Sequence, residues 1–403
     1  MYSASLYDPL TLPNGAILKN RMIKSAMSDS LGDGYGNPTS AQVEAYGTWA
    51  RGGVAASIIG EVQANARYPE KPGNLVLDAA SDFALFRELT SSGRANGSAI
   101  WAQLGHAGAL TPPWLGVPRG PSRLDLPGLS CLEMSLEEIK AVPDTLAEAA
   151  ALAEKVGFSG VQIHAAHGFL LSQFLSPLFN RRQDAYGGGL LGRARFLLEV
   201  VEAVRGRVSP CFTVTLKLNA TDQLDGGLSE DDSLRVIAAL DRTGLDLIDI
   251  SGGTYFPGAP SSSDRKSSGP YFLDFAREAR RVTDLPLMVT GGFKRRASAE
   301  AAIRSGDVDA VGLARALVLN PALPSQWEAG GSDTAFPTFA QAPAGGITAW
   351  YTLAIETIVS LNETAPDMDP ADALRIYEER DRERAARWKE RQASAVDALP
   401  CPR

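Results

Sequence analysis

The sequence has few cysteines, and their spacing excludes several classes of protein. The 403 residues include Cys131, Cys211 and Cys401, which lie far apart and form no C-x-x-C pair. This spacing argues against a disulfide framework, a thiolate zinc site and a four-cysteine iron–sulfur cluster within the chain. Sparse, scattered cysteines are typical of a reducing compartment, so we expect a cytoplasmic protein.

Targeting signals, long apolar runs and an excess of basic charge are lacking as well. Residues 1–8 have no basic stretch followed by an apolar one, as a secretory signal would. No run approaches the ~18 apolar residues of a membrane helix. The 39 Lys and Arg against 47 Asp and Glu give a net charge of -8. We therefore expect a small-molecule substrate as the partner, with no nucleic acid and no membrane, although a homo-oligomer remains open.

The sequence does contain eight short apolar runs separated by segments of helical periodicity. Asn14 and Gly15 first predict a β-hairpin between two apolar stretches. The order of the runs predicts an α/β fold, a (β/α)8 TIM barrel, whereas a doubly wound sheet is disfavoured because no strand leads directly into G-x-G-x-x-G. The runs lack polar alternation, as strands buried on both faces do, and they are Met22–Met27, Ala55–Gly60, Ala99–Leu104, Val161–His164, Phe212–Leu218, Leu247–Ser251, Leu287–Thr290 and Ala310–Leu313.

Two segments exceed a minimal barrel. Residues 105–130 follow the third strand and are rich in Gly, Pro and Leu, so we expect a loop over the barrel mouth. Near the other end, Asp369 and Pro370 predict a helix start before a strongly charged segment, for which a solvated surface helix is favoured over a partner-binding one. We therefore divide the chain into a barrel, residues 1–336, and a C-terminal helical extension, residues 337–403, packed on or beside it. Within the barrel, Ser81 and Ser135 are predicted helix caps.

The three histidines of the chain all lie at predicted strand ends, where barrel enzymes carry their active sites. His164 and His167 are three residues apart just after the fourth strand. Neutral imidazoles at this place can donate hydrogen bonds to a carbonyl or phenolate oxygen and stabilise negative charge on a substrate. A metal pair is disfavoured because no further ligands stand at a recognisable spacing. We predict catalysis or substrate binding for the pair, whereas a structural role for His106 is equally open.

Two polar side chains in apolar strands are further candidates. Lys217 must find an anionic partner or change its protonation. Contact with an anionic ring, a Schiff base, and a core ion pair with Glu61 or Asp249 all remain open. Gln103 offers both a donor and an acceptor, which suits the edge of a heterocycle.

Glycines end the seventh and eighth predicted strands. Gly291 and Gly292 follow one strand, and Gly312 leads to Arg315 after the next. Barrels often bind phosphate at this place, and an arginine can add a bidentate contact. Tight turns alone are the alternative interpretation.

Taken together, these segments resemble the Old Yellow Enzyme family of FMN-dependent NAD(P)H oxidoreductases. The longest matching segment runs G-V-Q-I-H-A-A-H-G-F-L-L from residue 160. The others are residues 18–27, 101–108, 186–188, 291–293 and 312–315. The resemblance spans the predicted barrel in order.

The resemblance implies FMN at the barrel mouth, with NADPH or NADH as the reductant. In this family His164 and His167 would bind the activating oxygen of the substrate, with Phe169 and Tyr255 beside them. Lys217 would stand near N1 of the flavin and Gln103 at its pyrimidine edge, while Gly60 would allow close approach of the ring. The remaining residues implied to contact FMN are Ser25, Ala26, Met27, Ser28, Gly291, Gly292, Gly312 and Arg315.

Phe169 departs from the family pattern. Many members carry a Tyr there, to which delivery of a proton opposite the hydride is often assigned, and Phe has no proton to give. Reduction of an alkene would then need another acid, such as Tyr68, Tyr255 or water. Ser28 and Ser30 also stand where one subclass carries Cys and Tyr, so tuning of the flavin by a thiol is not expected.

The predicted reaction is hydride transfer from NAD(P)H through flavin to an activated alkene, such as an α,β-unsaturated carbonyl compound. Flavin-dependent oxidation of a cyclic substrate is one alternative. A barrel lyase that forms a Schiff base on Lys217 is another. A catalytically impaired flavin-binding or regulatory protein, suggested by Phe169, is the third.

Overall fold

Eight parallel strands close into a barrel in the computed structural model, which describes residues 4–256 and 269–397. The short β1 and β2 form the predicted antiparallel hairpin, which precedes the barrel strands in the chain. The described strands, numbered along the chain, are β1 (Leu10–Thr11), β2 (Ile17–Leu18), β3 (Met22–Lys24), β4 (Ala56–Gln63), β5 (Leu75–Val76), β6 (Ala99–Gly105), β7 (Arg119–Gly120), β8 (Leu124–Leu126), β9 (Leu129–Glu133), β10 (Gly160–Ala165), β11 (Thr213–Asn219), β12 (Leu247–Ser251), β13 (Leu287–Thr290) and β14 (Ala310–Leu313).

The closure of the sheet confirms the predicted (β/α)8 barrel. Around the barrel the order is β3, β4, β6, β10, β11, β12, β13 and β14, and β14 pairs again with β3. The apolar runs form these strands because each strand is buried on both faces. The carboxyl ends of all eight therefore meet at one edge, the barrel mouth.

Helices lie between the barrel strands. The capping box at Ser135 is present, since the Ser135 hydroxyl accepts from the backbone of Glu138, whose carboxylate accepts from the backbone of Ser135. The described helices are α1 (Ser40–Arg51), α2 (Phe83–Gly93), α3 (Leu136–Lys155), α4 (Leu170–Leu175), α5 (Leu190–Arg207), α6 (Glu230–Leu240), α7 (Leu273–Ala279), α8 (Arg296–Ser305), α9 (Arg315–Leu319), α10 (Leu323–Glu328), α11 (Gly346–Ala354) and α12 (Pro370–Asp397).

The predicted cap of α2 at Ser81 is wrong. Asp82 caps this helix, because its carboxylate accepts from the backbone N–H groups of Ala84 and Leu85. The Ser81 hydroxyl instead donates to the carbonyl oxygen of Val76. Ser81 is thus engaged in the turn that follows β5, where Arg391 of α12 also donates to its hydroxyl.

The long segment after β6 contains a small sheet beside the barrel mouth. In it β9 pairs with β7 on one side and with β8 on the other. Leu124, Leu129 and Cys131 of this sheet pack in one cluster with Phe179 and Phe256. The segment is thus partly ordered into strands.

The C-terminal segment packs against loops of the barrel. Trp388 in α12 is fully buried, and its indole N–H donates to the carbonyl oxygen of Ala66 after β4. Arg380 and Arg384 donate to the carbonyl oxygen of Ser30 after β3. One side of α12 is therefore buried, so the expectation of a simply solvated helix is wrong for that side. Within residues 4–256 and 269–397, no helix has the length and apolarity to span a membrane.

Candidate active site at the barrel mouth

A cavity at the carboxyl ends of the barrel strands brings together most of the predicted site residues. Gln103, Lys217, His164 and His167 reach it from β6, from β11 and from the end of β10. Glu61 and Glu70, which the sequence did not single out as site residues, reach it from β4 and the loop that follows. The described residues that line the cavity are Ala26, Met27, Ser28, Glu61, Glu70, Gln103, His164, His167, Lys217 and Tyr255.

The two histidines face each other with converging ring nitrogens. Nε2 of His164 lies 3.2 Å from Nδ1 of His167, and Nε2 of His167 lies 2.8 Å from the Ser251 hydroxyl. His167 adopts a left-handed φ of 60°, and its backbone N–H donates to the Asn219 side chain. This turn directs the second ring back toward the first.

Both imidazoles are neutral near pH 7. Burial lowers the pKa of His164 to about 3, and the nearby Lys217 ammonium lowers it further. Burial also holds the pKa of His167 well below its usual range, with His164 and Lys217 acting in the same direction. Each neutral ring carries one N–H group, which it can donate to a ligand oxygen.

Lys217 forms a buried ion pair with Asp249. Its Nζ lies 2.7 Å from Oδ2 of Asp249, and both side chains are almost completely buried. Of the roles left open by the sequence, the structure contains the core ion pair, and the partner is Asp249 rather than Glu61. Because Lys217 also lines the cavity, the same ammonium group can face an anionic ring.

Asp249 also fixes the orientation of Gln103. The Asp249 carboxylate accepts from Nε2 of Gln162, so the oxygen of Gln162 must accept from Nε2 of Gln103, at 2.7 Å. One N–H of the Gln103 amide is thereby used inside the barrel. Its carbonyl oxygen is the group left to accept a hydrogen bond from a ligand.

Two of the residues expected beside a flavin lie in the packing around the cavity. Ser25 is buried and its hydroxyl lies 2.9 Å from that of Thr290, which donates to Asp249. A Cβ atom on Gly60 would lie 2.5 Å from the carbonyl oxygen of Met27. Close approach of the backbone that follows β3 is therefore sufficient reason for glycine at position 60.

The four residues predicted for phosphate binding lie on adjoining strand ends, outside the lining of the histidine cavity. Thr290 pairs with Gly312 in the β13–β14 register, so Gly291 and Gly292 follow directly beside Gly312. Gly291 and Gly292 have φ angles of 112° and 86°, which side chains rarely adopt. Arg315 begins α9, where its guanidinium lies 5.6 Å from the centre of the Tyr351 ring.

His106 and Tyr68 belong to a different place. Nδ1 of His106 accepts from the backbone N–H of Gly108, and its ring stacks on Tyr68 with 4.1 Å between centres. Both line a second cavity between the ends of β4 and β6 and helix α3. The structure thus supports the structural interpretation of His106.

The donor groups fit the FMN that the resemblance implies. The Gln103 oxygen can accept from the pyrimidine part of a flavin, and the Lys217 ammonium can face its anionic form. The Arg315 guanidinium beside two left-handed glycines suits a phosphate. These groups lie at the carboxyl ends of β6, β11, β13 and β14, around one barrel mouth, where one extended ligand can reach them.

Solved structures share this fold. Morphinone reductase matches with a TM-score of 0.72 and 24% identity over 83% of this chain and 92% of that protein. An old yellow enzyme homologue from Zymomonas mobilis matches with a TM-score of 0.73 and 24% identity, covering 87% of this chain and 99% of that protein. At such identities the likeness shows the barrel alone.

Sequence comparisons add the family. An NADH-dependent flavin oxidoreductase of Hypocrea jecorina is 35% identical over 349 residues, or 78% of this chain and 87% of that protein. An NADPH dehydrogenase of Bacillus subtilis is 31% identical over 78% of this chain and 92% of its own length. The profile of the NADH:flavin oxidoreductase / NADH oxidase family matches residues 5–333. The chain belongs to this family and is an oxidoreductase whose cofactors are FMN and a nicotinamide nucleotide.

Proposed function

We propose that the enzyme reduces an activated alkene, such as an α,β-unsaturated carbonyl compound, whose oxygen is held by His164 and His167. The observation that carries this proposal is the convergence of Nε2 of His164 and Nδ1 of His167, 3.2 Å apart, in the lining of the mouth cavity. Bound FMN supplies the hydride chemistry, with NADPH or NADH as the reductant.

The two imidazoles bind the carbonyl oxygen and stabilise the charge that grows on it. Hydride addition to the far carbon of the alkene moves negative charge onto the oxygen, and N–H donors held in a buried site favour that state. Each such donor contributes on the order of 10²–10³ in rate in known oxyanion sites. Neutral rings serve this purpose because they donate without protonating the oxygen in the ground state.

The proton for the second carbon must come from a group other than Phe169. The Phe169 ring packs 4.8 Å from the His164 ring and 5.8 Å from the Tyr255 ring, measured between centres. Tyr255 lines the histidine cavity, whereas Tyr68 lies in the other one. We therefore assign proton delivery to Tyr255 rather than to Tyr68.

For FMN we propose the residues that the resemblance implies. Gln103 and Lys217 would contact the flavin ring beside Ala26, Met27 and Ser28. Gly291, Gly292, Gly312 and Arg315 would hold the phosphate, supported by their adjoining strand ends. Ser25 and Gly60 would support this site by packing around it.

We also propose a cytoplasmic location, a division of the chain after the barrel and a small-molecule substrate. A cytoplasmic location is supported by the three scattered cysteines. The division at residues 336 and 337 is supported by the family match, which ends at residue 333. A small-molecule substrate is supported by the cavity at the mouth.

Substitution of both histidines tests the proposed function. His164→Ala combined with His167→Ala should abolish reduction of 2-cyclohexen-1-one while leaving FMN bound and reducible by NADPH or NADH. His106→Asn is the matched control, because it changes the histidine outside the cavity and should retain turnover. Turnover retained in the double variant would refute the assignment of the pair.

One second candidate is the oxidative direction, which the departure at Phe169 leaves open. Removal of hydride from a cyclic substrate also releases a proton, which Tyr255 or water would accept, because Phe169 can neither donate nor accept one. Anaerobic mixing with cyclic ketones, followed by the flavin absorbance, distinguishes the two directions. The Schiff-base alternative loses support because Lys217 is paired with Asp249, and borohydride trapping on Lys217 would revive it. If neither NADH nor NADPH bleaches the bound flavin, the alternative of a catalytically impaired flavin-binding or regulatory protein is favoured.

A further inference from the structure

Glu61 is a buried carboxyl group that contacts the first of the two histidines. It is 5% exposed, and its Oε1 lies 2.9 Å from Nδ1 of His164, although without the alignment of a hydrogen bond. Its backbone has a left-handed φ of 65° where the pairing of β4 with β6 shifts register between Ile59 and Val62. Such a conformation costs about 1–3 kcal/mol and is concentrated at functional sites. The irregularity in the strand therefore directs an acidic side chain at His164.

The surroundings of Glu61 favour its neutral form. Lys217 is in contact with Asp249, and no lysine or arginine of the described residues forms an ion pair with Glu61. Burial raises the pKa of Glu61 to about 8, and only the Gln63 amide and the Lys217 charge act against it. The other titratable groups that face the same cavity are Glu70, His164, His167 and Tyr255.

We propose that the protonated Glu61 carboxyl donates to Nδ1 of His164 and thereby holds this ring in the tautomer that carries its hydrogen on Nε2. The inference rests on the proposed function, in which Nε2 must donate to the substrate oxygen. Two lone pairs 2.9 Å apart repel each other, so the contact requires a proton on one of the two atoms. Glu61 is a positioning residue, since it acts on the substrate through His164.

A proton on Glu61 sets the direction of donation along the row of hydrogen-bonding groups formed by Glu61, His164, His167 and Ser251. A neutral imidazole has one N–H group. If Nδ1 of His164 accepts from Glu61, then Nε2 donates to Nδ1 of His167, whose own Nε2–H donates to the Ser251 hydroxyl. A substrate oxygen takes over the N–H of His164. For His167 to donate as well, it must change tautomer: Nε2 gives its proton to solvent water, Nδ1 takes one from solvent water, and the Ser251 hydroxyl turns to donate to Nε2.

An ionised Glu61 would reverse this row. The carboxylate would accept from an Nδ1–H group of His164, so Nε2 would present a lone pair to the cavity. An oxyanion would then meet repulsion where it now meets a donor. Binding of an oxyanion should therefore be strong below the Glu61 pKa of about 8 and weaken above it.

Nitrogen-15 NMR of histidine-labelled holoenzyme reads the tautomers directly. The chain has three histidines, and His106 serves as a reference because its Nδ1 accepts from Gly108, which fixes its hydrogen on Nε2. We expect the Nε2–H form of His164 at neutral pH and the Nδ1–H form well above the pKa of Glu61. An Nδ1–H form of His164 at neutral pH would overturn the proposal.

The pH dependence of oxyanion binding can be measured with pentafluorophenol, which is already ionised at neutral pH and above. The affinity of the unsubstituted holoenzyme should fall about tenfold per pH unit above the Glu61 pKa. Glu61→Gln, whose amide can still donate, should retain binding and remove this pH dependence. Glu61→Leu should weaken binding about 10- to 100-fold at every pH.

Glu138→Gln is the matched control for removal of a carboxylate near the mouth. Gln preserves the capping box of α3, so binding and its pH profile should not change. Equal weakening by Gln and Leu at position 61, or a flat profile of the unsubstituted enzyme, overturns the proposal. If Glu61→Leu does not fold, the Gln variant and the NMR spectrum decide. If His164→Ala instead leaves the affinity for pentafluorophenol unchanged, the proposed function is overturned.

Discussion

Removal of the Asp249 charge should strongly destabilise the barrel. Asp249 is fully buried, and Asp249→Asn keeps its volume while leaving the buried ammonium of Lys217 without an anion. Breaking a buried ion pair at one partner costs about 3–5 kcal/mol, because the remaining charge has lost its hydration and its partner. The free energy of unfolding in urea, measured by circular dichroism with FMN in excess, should therefore fall by about this amount.

Two further variants isolate the charge as the cause. Adding Lys217→Met to Asp249→Asn removes the stranded ammonium and should recover most of the lost stability. Asp274→Asn removes a carboxylate whose pair with Arg277 is exposed, so the loss should not exceed about 0.5 kcal/mol. A loss below about 1 kcal/mol for Asp249→Asn, or no recovery in the double variant, would refute the reasoning.

Two other predictions concern β4. Gly60→Ala should destabilise the protein by about 1–3 kcal/mol, since the new Cβ would meet the backbone of Met27, whereas Gly206→Ala in α5, where nothing lies within 4 Å, should be neutral or gain up to about 1 kcal/mol. Equal effects of the two substitutions on the urea midpoint would contradict this. Glu61→Gln should be increasingly more stable than the unsubstituted protein as pH rises from 4.5 to about 8, because unfolding releases the Glu61 proton over that range and Gln has none. A constant difference across that range would show that Glu61 does not titrate in this way.

Local chemistry explains why the elements could be predicted so closely. The barrel strands are continuous apolar runs, and α12 begins where Asp369 caps it and Pro370 opens it. The error at Ser81 has the opposite origin. Two adjacent residues can cap α2, but the Ser81 hydroxyl is engaged elsewhere, since it donates to Val76 and accepts from Arg391 of α12. No local pattern contains the contact with Arg391.

A C-terminal helical extension packed on or beside the barrel was predicted, but the contacts that dock α12 could not be, for a similar reason. Its charged sequence is typical of a solvated helix. Arg380 and Arg384, however, donate to the carbonyl oxygen of Ser30, and Trp388 donates to that of Ala66. The acceptors are backbone carbonyl oxygens of distant loops. Every residue has such an oxygen, so the sequence does not show which of them will accept.

The sequence also predicted which residues form the site, but not how their charges pair. Polar residues at the ends of parallel strands were expected to meet, and His164, Lys217 and Gln103 do line one cavity. The sequence left Lys217 two carboxyl partners, Glu61 and Asp249. Register decides between them, because Lys217 is opposite Asp249 in the β11–β12 ladder. Within residues 4–256 and 269–397, that pairing leaves Glu61 with no ion pair to a lysine or arginine. The alignment of two strands on one side of the barrel thereby favours the neutral form of a carboxyl group on the other.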